Sequence, residues 1–132
     1  MKTRILLLVL LTSILSFQLN AQPHAKKWVY LGERLVNDRL DRDVIAVTAE
    51  RGEFSAIQIK VKGASVDFHK VIVVFGNGRT QEVELRNTIG AGGASRVIDL
   101  KGDDRVIKQI EFLYDANTIR GRKAVVRVFG RR

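Results

Sequence analysis

The stretch VIVVFGNGRTQEVEL (residues 71–85) decides the fold. Val71, Val73 and Phe75 alternate with Ile72 and Val74, a polar turn GNG follows, and Val83 and Leu85 resume a two-residue period. Successive side chains of an extended chain point to opposite faces, so this spacing belongs to strands with one face turned to a core. Asn77-Gly78 between two such runs marks a β-hairpin, because both residues tolerate the positive φ of a type I′ turn.

The same period runs outward in both directions. In FSAIQIKVKG (residues 54–63), Ile57, Ile59 and Val61 alternate with Gln58, Lys60 and Lys62. Downstream, Ile98 and Leu100 share a face of SRVIDL. Ile110, Phe112 and Tyr114 share one in KQIEFLYD, and Ala124, Val126 and Val128 share one near the end. WVYLGERLV and DVIAVTAE read as earlier strands, with NDRLDR between them as a connection or a short helical turn. Beyond residue 21, no long stretch carries a sustained helical apolar face. A parallel sheet would need crossover helices for which there is no room. The expected fold is therefore all-β: a single antiparallel β-sandwich or jelly-roll-like domain of seven to nine short strands. Its inward residues should include Ile57, Ile59, Val61, Val73, Phe75, Ile98, Leu100, Ile110, Phe112, Val126 and Val128.

That domain is expected over residues 28–132 of a 132-residue chain. Residues 1–21 read as a signal peptide: Lys2 and Arg4 precede an apolar run at residues 5–17, and Ala21 offers a cleavage site. The run is shorter than the ~20 apolar residues of a permanent span. The alternative is a retained N-terminal membrane helix. Residues 22–27, QPHAKK, form a polar lead-in with the chain's one proline. Processing would leave no transmembrane anchor and direct the protein to the periplasm or the medium. About 110 residues then remain, enough for one core. Cysteine is absent, which excludes disulfides and a lipid-modified cysteine anchor.

The formal charge of +9 and a pI near 10.4 suit an anionic partner: an acidic glycan, lipopolysaccharide or another acidic polymer. Candidate anion contacts are Arg96 after the glycine run and Arg120, Arg122, Lys123 and Arg127 in the basic C-terminal segment. Solubility alone also accounts for such charge. Nucleic acid is disfavoured because stacking aromatics are scarce among the basic residues. Phe129 is the local candidate, and a core or edge role suits it better. Trp28, Tyr30 and Tyr114 give only a weak signal for a sugar-binding platform.

No catalytic constellation emerges. GAGGASR (residues 90–96) leads into a strand rather than a helix, and no Lys-Ser/Thr pair follows its last glycine. It fails as a dinucleotide or phosphate loop and reads as a mobile connection, the alternative being an anion-binding backbone nest near Arg96. No cofactor is expected. His69 has no serine in a nucleophile turn to partner it. Two histidines without cysteine give no zinc pattern, and Asp38, Asp41 and Asp43 are interleaved by Arg39 and Arg42, which favours local ion pairs over calcium. The expectation is a non-enzymatic binding or structural module of the envelope or extracellular space. The alternative is a hydrolase acting on cell-wall or glycan material, which would need a concave site gathering Asp41, Asp43, Glu111 or His69.

Taken in order, LGERLV, DRDVIAV, FSAIQIKV, VIVVFGNG, SRVIDLKG, RVIKQIEFLYD and AVVRVFG give the chain a resemblance over residues 31–130. It resembles a family of small exported bacterial proteins catalogued as a domain of unknown function. The resemblance implies a β-sandwich or jelly-roll-like fold and export, and supplies no activity or catalytic residue. A basic residue before the IEFLY strand, Arg105 here, is a repeated feature of that family. Beside Asp103 and Asp104 it is expected to pin the turn.

Overall fold

A computed structural model describes residues 27–36, 42–115 and 123–132. The proposed leader, all of the lead-in except Lys27, and most of NDRLDR lie outside the described residues. Among the described residues, nine strands make up two antiparallel sheets: β1 (Trp28–Val36), β2 (Arg42–Ala46), β3 (Glu53–Phe54), β4 (Ala56–Lys62), β5 (Val66–Phe75), β6 (Thr80–Ile89), β7 (Ile98–Asp99), β8 (Arg105–Asp115) and β9 (Ala124–Arg131). One 3-10 turn, Ala49–Arg51, precedes β3. No helix among the described residues is long and apolar enough to cross a membrane.

One sheet has the order β1-β9-β4-β7. The other runs β2-β8-β5-β6, with short β3 also pairing β8. The pairings β5·β6, β4·β7, β2·β8 and β1·β9 nest inside one another along the chain. They describe one long hairpin whose tip is the GNG turn, rolled so that alternate pairs fall in opposite sheets. That is a jelly roll, a sandwich that closes over its own core. The quoted stretch 71–85 is thus the tip from which the rest of the ribbon winds.

The tip is a hairpin, but of another type than the Asn-Gly pair suggested. Gly78 donates to the Phe75 carbonyl at 2.9 Å, and Phe75 N–H donates to the Arg79 carbonyl at 2.8 Å. Gly78 takes φ +85° while Asn77 keeps a negative φ. The result is a three-residue loop with glycine at the left-handed position. The Asn77 side chain accepts from Arg79 N–H at 3.0 Å, closing the bend locally.

The core lies between the sheets. Every inward residue named from the sequence is buried, and Phe54, Phe68, Phe112 and Tyr114 are its largest fully buried side chains. Phe112 packs edge-on against Phe68 with ring centroids 6.0 Å apart. Gly130 on β9 is required by this packing, since a Cβ there would stand 2.6 Å from Phe54 Cδ1.

Gly32 is the other decisive glycine. The β1·β9 register shifts between Tyr30 and Gly32. At φ +153°, Gly32 carries β1 close to β2, where a Cβ would meet Ile45 Cγ2 at 2.8 Å. Arg34 Nε reaches the Val44 carbonyl at 2.8 Å across the same corner. This bulge resets the alternation, so that Tyr30 and Glu33, three apart in sequence, both face outward.

Candidate functional site

The cross-strand register builds the outer face of the four-stranded sheet in rows. Trp28 stands opposite Arg131, Tyr30 opposite Phe129, Glu33 opposite Arg127 and Leu35 opposite Val125. On the far side of β9, Phe129 pairs with Gln58, Arg127 with Lys60 and Val125 with Lys62. Residues two apart on a strand share a face, so three rings and four cations meet on one surface. Trp28 is 37% exposed and Tyr30 41% exposed; Leu35, at 51%, continues the apolar strip.

The rings and charges are interlocked. Tyr30 packs edge-on against Phe129 at 5.8 Å. Lys60 Nζ lies 4.9 Å above the Phe129 ring, and the Arg131 guanidinium 5.7 Å from the Trp28 ring. Both are cation–π distances that hold a charge over an aromatic face. Two carboxylates fix the guanidiniums: Glu33 Oε1 is 3.3 Å from Arg127 Nε, and Asp99 Oδ1 is 3.2 Å from Arg131 Nη2. Arg127 Nε–H and Arg131 Nε–H are themselves shielded from solvent and make no hydrogen bond among the described residues, so Glu33 holds Arg127 as an ion pair. The Tyr30 hydroxyl donates to Glu33 at 2.8 Å. That bond, reinforced by partial desolvation and the Glu33 charge, raises the phenol above its ordinary pKa.

The glycine run borders this face. Gly92 N–H donates to the Val61 carbonyl at 2.8 Å, Val61 N–H to the Gly93 carbonyl at 3.0 Å, and Ser95 N–H to the Ile59 carbonyl at 2.7 Å. Ile59 N–H donates to Ser95 Oγ at 2.9 Å, and Gln58 Nε2 to the Ser95 carbonyl at 2.9 Å. The expectation of a mobile connection is therefore corrected. The segment is stitched to β4 and covers its edge, which β7 pairs only at Ala56 and Ile57. Between it and β9 lies a cleft of about 280 Å³ lined by Lys60, Val61, Lys62, Gly92, Gly93, Arg127 and Phe129.

Of the basic residues singled out in the sequence, Arg127 lies in this cleft. Lys123 is exposed just before β9, its carbonyl 2.6 Å from where a Cβ on Gly63 would stand. Arg96 is exposed within the stitched segment and does not line the cleft. Arg120 and Arg122 lie outside the described residues. Sequence reasoning missed Lys60, Lys62 and Arg131 and undervalued three rings. The core or edge role expected of Phe129 is corrected: it is a half-buried ring facing outward. The signal was present as Gln58-Lys60-Lys62 and Arg127-Phe129-Arg131, two runs spaced by two, but nothing local says that they are neighbours.

The residues named for a hydrolytic centre are dispersed. His69 sits at the β5 bulge, exposed, in a depression of about 400 Å³ with Asp67, Lys70, Glu84 and Arg86, on the opposite sheet. Glu84 pairs with Arg86 at 2.9 Å, and Asp67 accepts from Thr88 at 3.1 Å. Asp43 accepts from the Tyr114 hydroxyl at 3.1 Å, and Glu111 is bound by Arg42. Asp41 lies outside the described residues. No cluster of three or more potential metal ligands occurs among the described residues. Arg105 does pin its turn, though through the Lys101 carbonyl at 2.8 Å rather than an aspartate, while stacking 3.9 Å from the Phe75 ring.

Fold and face together define a jelly-roll β-sandwich that displays one aromatic, cation-bearing sheet to solvent. The chain belongs to the family described as Domain of unknown function (DUF2541), whose model matches residues 5–130. Among solved structures, one from a structural and functional characterization of Pseudomonas aeruginosa AlgX is similar in fold. The TM-score is 0.52 at 17% identity, over 80% of this chain and 26% of that one. The chain thus spans about a quarter of the length of that structure. A search of curated proteins returned no match.

Proposed function

We propose that the protein is a non-catalytic binding module that holds an acidic polysaccharide on the outer face of its four-stranded sheet. One observation carries this reading: the rings of Trp28, Tyr30 and Phe129 share a surface with two lysines, Lys60 and Lys62, that meet no carboxylate among the described residues. The C–H faces of a sugar ring pack on flat aromatic surfaces. Its hydroxyls need donors and acceptors side by side, which the Arg127–Glu33 and Arg131–Asp99 pairs and Gln58 supply. Its acid groups take the free lysines.

A nucleic-acid strand is the rival occupant, since it too stacks its bases on rings and sets its phosphates against cations, and a single-stranded DNA probe decides between the two. Catalysis draws no support from His69, which makes no hydrogen bond among the described residues to orient its ring. The apolar leader at residues 5–17 supports a place for this task in the envelope or outside the cell.

The test is isothermal titration at low salt with polygalacturonate, neutral dextran and single-stranded DNA as probes. Polygalacturonate should bind, lose affinity as salt rises, and bind weakly to Trp28→Ala and Phe129→Ala. Lys70→Gln, on the other sheet, should bind as the parent does. Absence of binding, a preference for single-stranded DNA, or affinity untouched by the two ring substitutions would overturn the reading.

A further inference from the structure

We infer that the cleft between β4, β9 and the glycine segment is a subsite for the carboxylate of one acidic sugar unit, with the neighbouring aromatic half of the face stacking the rings of the units beside it. This rests on the binding face proposed above and assigns its polarity. Among the described residues, the cleft lining holds three cations, Lys60, Lys62 and Arg127, and no carboxylate. Glu33 reaches Arg127 from β1, the side of β9 away from the cleft, and so fixes the guanidinium without filling the space beside β4. The Phe129 ring fixes Lys60 Nζ at 4.9 Å. Two of the three positive groups are thereby oriented in advance, which lowers the ordering cost of capturing an anion.

Shape agrees with charge. At about 280 Å³ the cleft falls just under the ~300–1,000 Å³ of drug-sized sites, room for one acid-bearing unit rather than a chain. A planar carboxylate matches the planar guanidinium edge in a way that a lone ammonium cannot offer. The wall made by the glycine segment is backbone. Gly92 has φ +85°, and a Cβ built there meets nothing within 4 Å, so the glycine leaves the mouth open. The acid end of the face is then the row of Lys60 and Arg127 and the row of Lys62. The stacking end is the row of Tyr30 and Phe129 and the row of Trp28.

The experiment compares polygalacturonate with its fully methyl-esterified form, using the purified full chain, Trp28→Ala and three further variants. Lys62→Gln removes a cleft cation. Gly92→Asp places a carboxylate at the mouth, and Gly92→Asn adds the same bulk without charge; both side chains tolerate a left-handed backbone. Circular dichroism melts confirm that each variant is folded. The parent should bind the acid form on the order of tenfold more tightly than the ester. Lys62→Gln and Gly92→Asp should lose most of that preference, and Gly92→Asn should keep it. Equal affinity for acid and ester, with Trp28→Ala still weakening both, would overturn the subsite and leave the binding face standing. Loss of preference in Gly92→Asn equal to that in Gly92→Asp would also overturn it, by showing that bulk and not charge matters there. Failure of the parent to bind either polymer would overturn the face and the subsite together.

Discussion

The outer face of the four-stranded sheet carries Trp28, Tyr30 and Phe129 among Lys60, Lys62, Arg127 and Arg131. That of the five-stranded sheet carries Val44, Ile72, Val74 and Leu113 among Glu82, Glu84 and Glu111. Both faces arise from the same alternation over the same core. They differ in how their charges are matched. On the five-stranded face Arg42 meets Glu111, Lys70 meets Glu82 at 3.4 Å and Arg86 meets Glu84 at 2.9 Å. Carboxylates and cations there answer one another, and the positions between them are aliphatic or neutral polar, such as Gln109 and Thr80. Among the described residues, two lysines on the four-stranded face are left over, and of the four exposed large apolar side chains three stand on β1. A surface whose charges are matched internally has little to offer a charged ligand; one with surplus cations over exposed rings does. The contrast separates a face that finishes the fold from a face that is available.

The sharpest way to break this contrast is to compare two phenylalanines. Phe112, fully buried under the five-stranded sheet, should cost about 3–5 kcal/mol when replaced by alanine. Phe129→Ala, on the open face, should cost about 1 kcal/mol, chiefly the lost ring contact with Tyr30. Urea unfolding measures both, and equal losses would mean that Phe129 is a core residue after all.

Charge inversion comes next. Lys62→Glu should weaken polygalacturonate binding by more than about tenfold. Lys70→Glu, with the same charge change on the matched face, should leave affinity within about twofold. A parallel loss from both would reduce the effect to net charge alone.

The carboxylates sharpen the comparison from the other side. Glu111 is 7% exposed and bound by Arg42, whose side chain is mostly in solvent. Glu111→Gln should cost about 1 kcal/mol, discounted for that exposure. Glu33→Gln should change stability by less than about 0.5 kcal/mol. Thermal melts of the two variants should rank in that order.

The smallest effect is one of pH. The bond to Glu33 favours the neutral Tyr30 phenol, so its folded pKa lies above the unfolded one. Stability from this contact is fully present below the ordinary tyrosine pKa of about 10 and is lost as pH rises through the raised value. Glu33→Gln should shift the Tyr30 titration downward, seen as phenolate absorbance in the ultraviolet. An unmoved titration would show that Glu33 does not set the ring's state.

Much of this molecule could be read before any coordinates. The apolar period in residues 57–61, 71–75, 110–114 and 124–128 named the core because strand alternation is local: each side chain's face follows from its neighbour's. The hairpin at GNG was legible for the same reason, though not its loop type, which hydrogen bonding at Phe75 and Arg79 settled. The cleft was not legible. GAGGASR looked like a free link because its partners, Val61 and Ile59, are remote in sequence. Arg105 was rightly given a turn-pinning role, but its partner proved to be a backbone carbonyl that charge pairing could not indicate.

By itself, then, the sequence determined which residues turn inward and which turn outward, and with them the all-β class, since a period of two is written into each strand separately. Only the tertiary structure decided which outward rows lie side by side. Trp28 and Tyr30 come from the start of the described chain, Lys60 from its middle, and Phe129 and Arg131 from its end. They became one surface when the hairpin rolled up and set β9 between β1 and β4, because strand order and register are fixed by long-range pairing and closure of the core, not by the residues beside them in the chain.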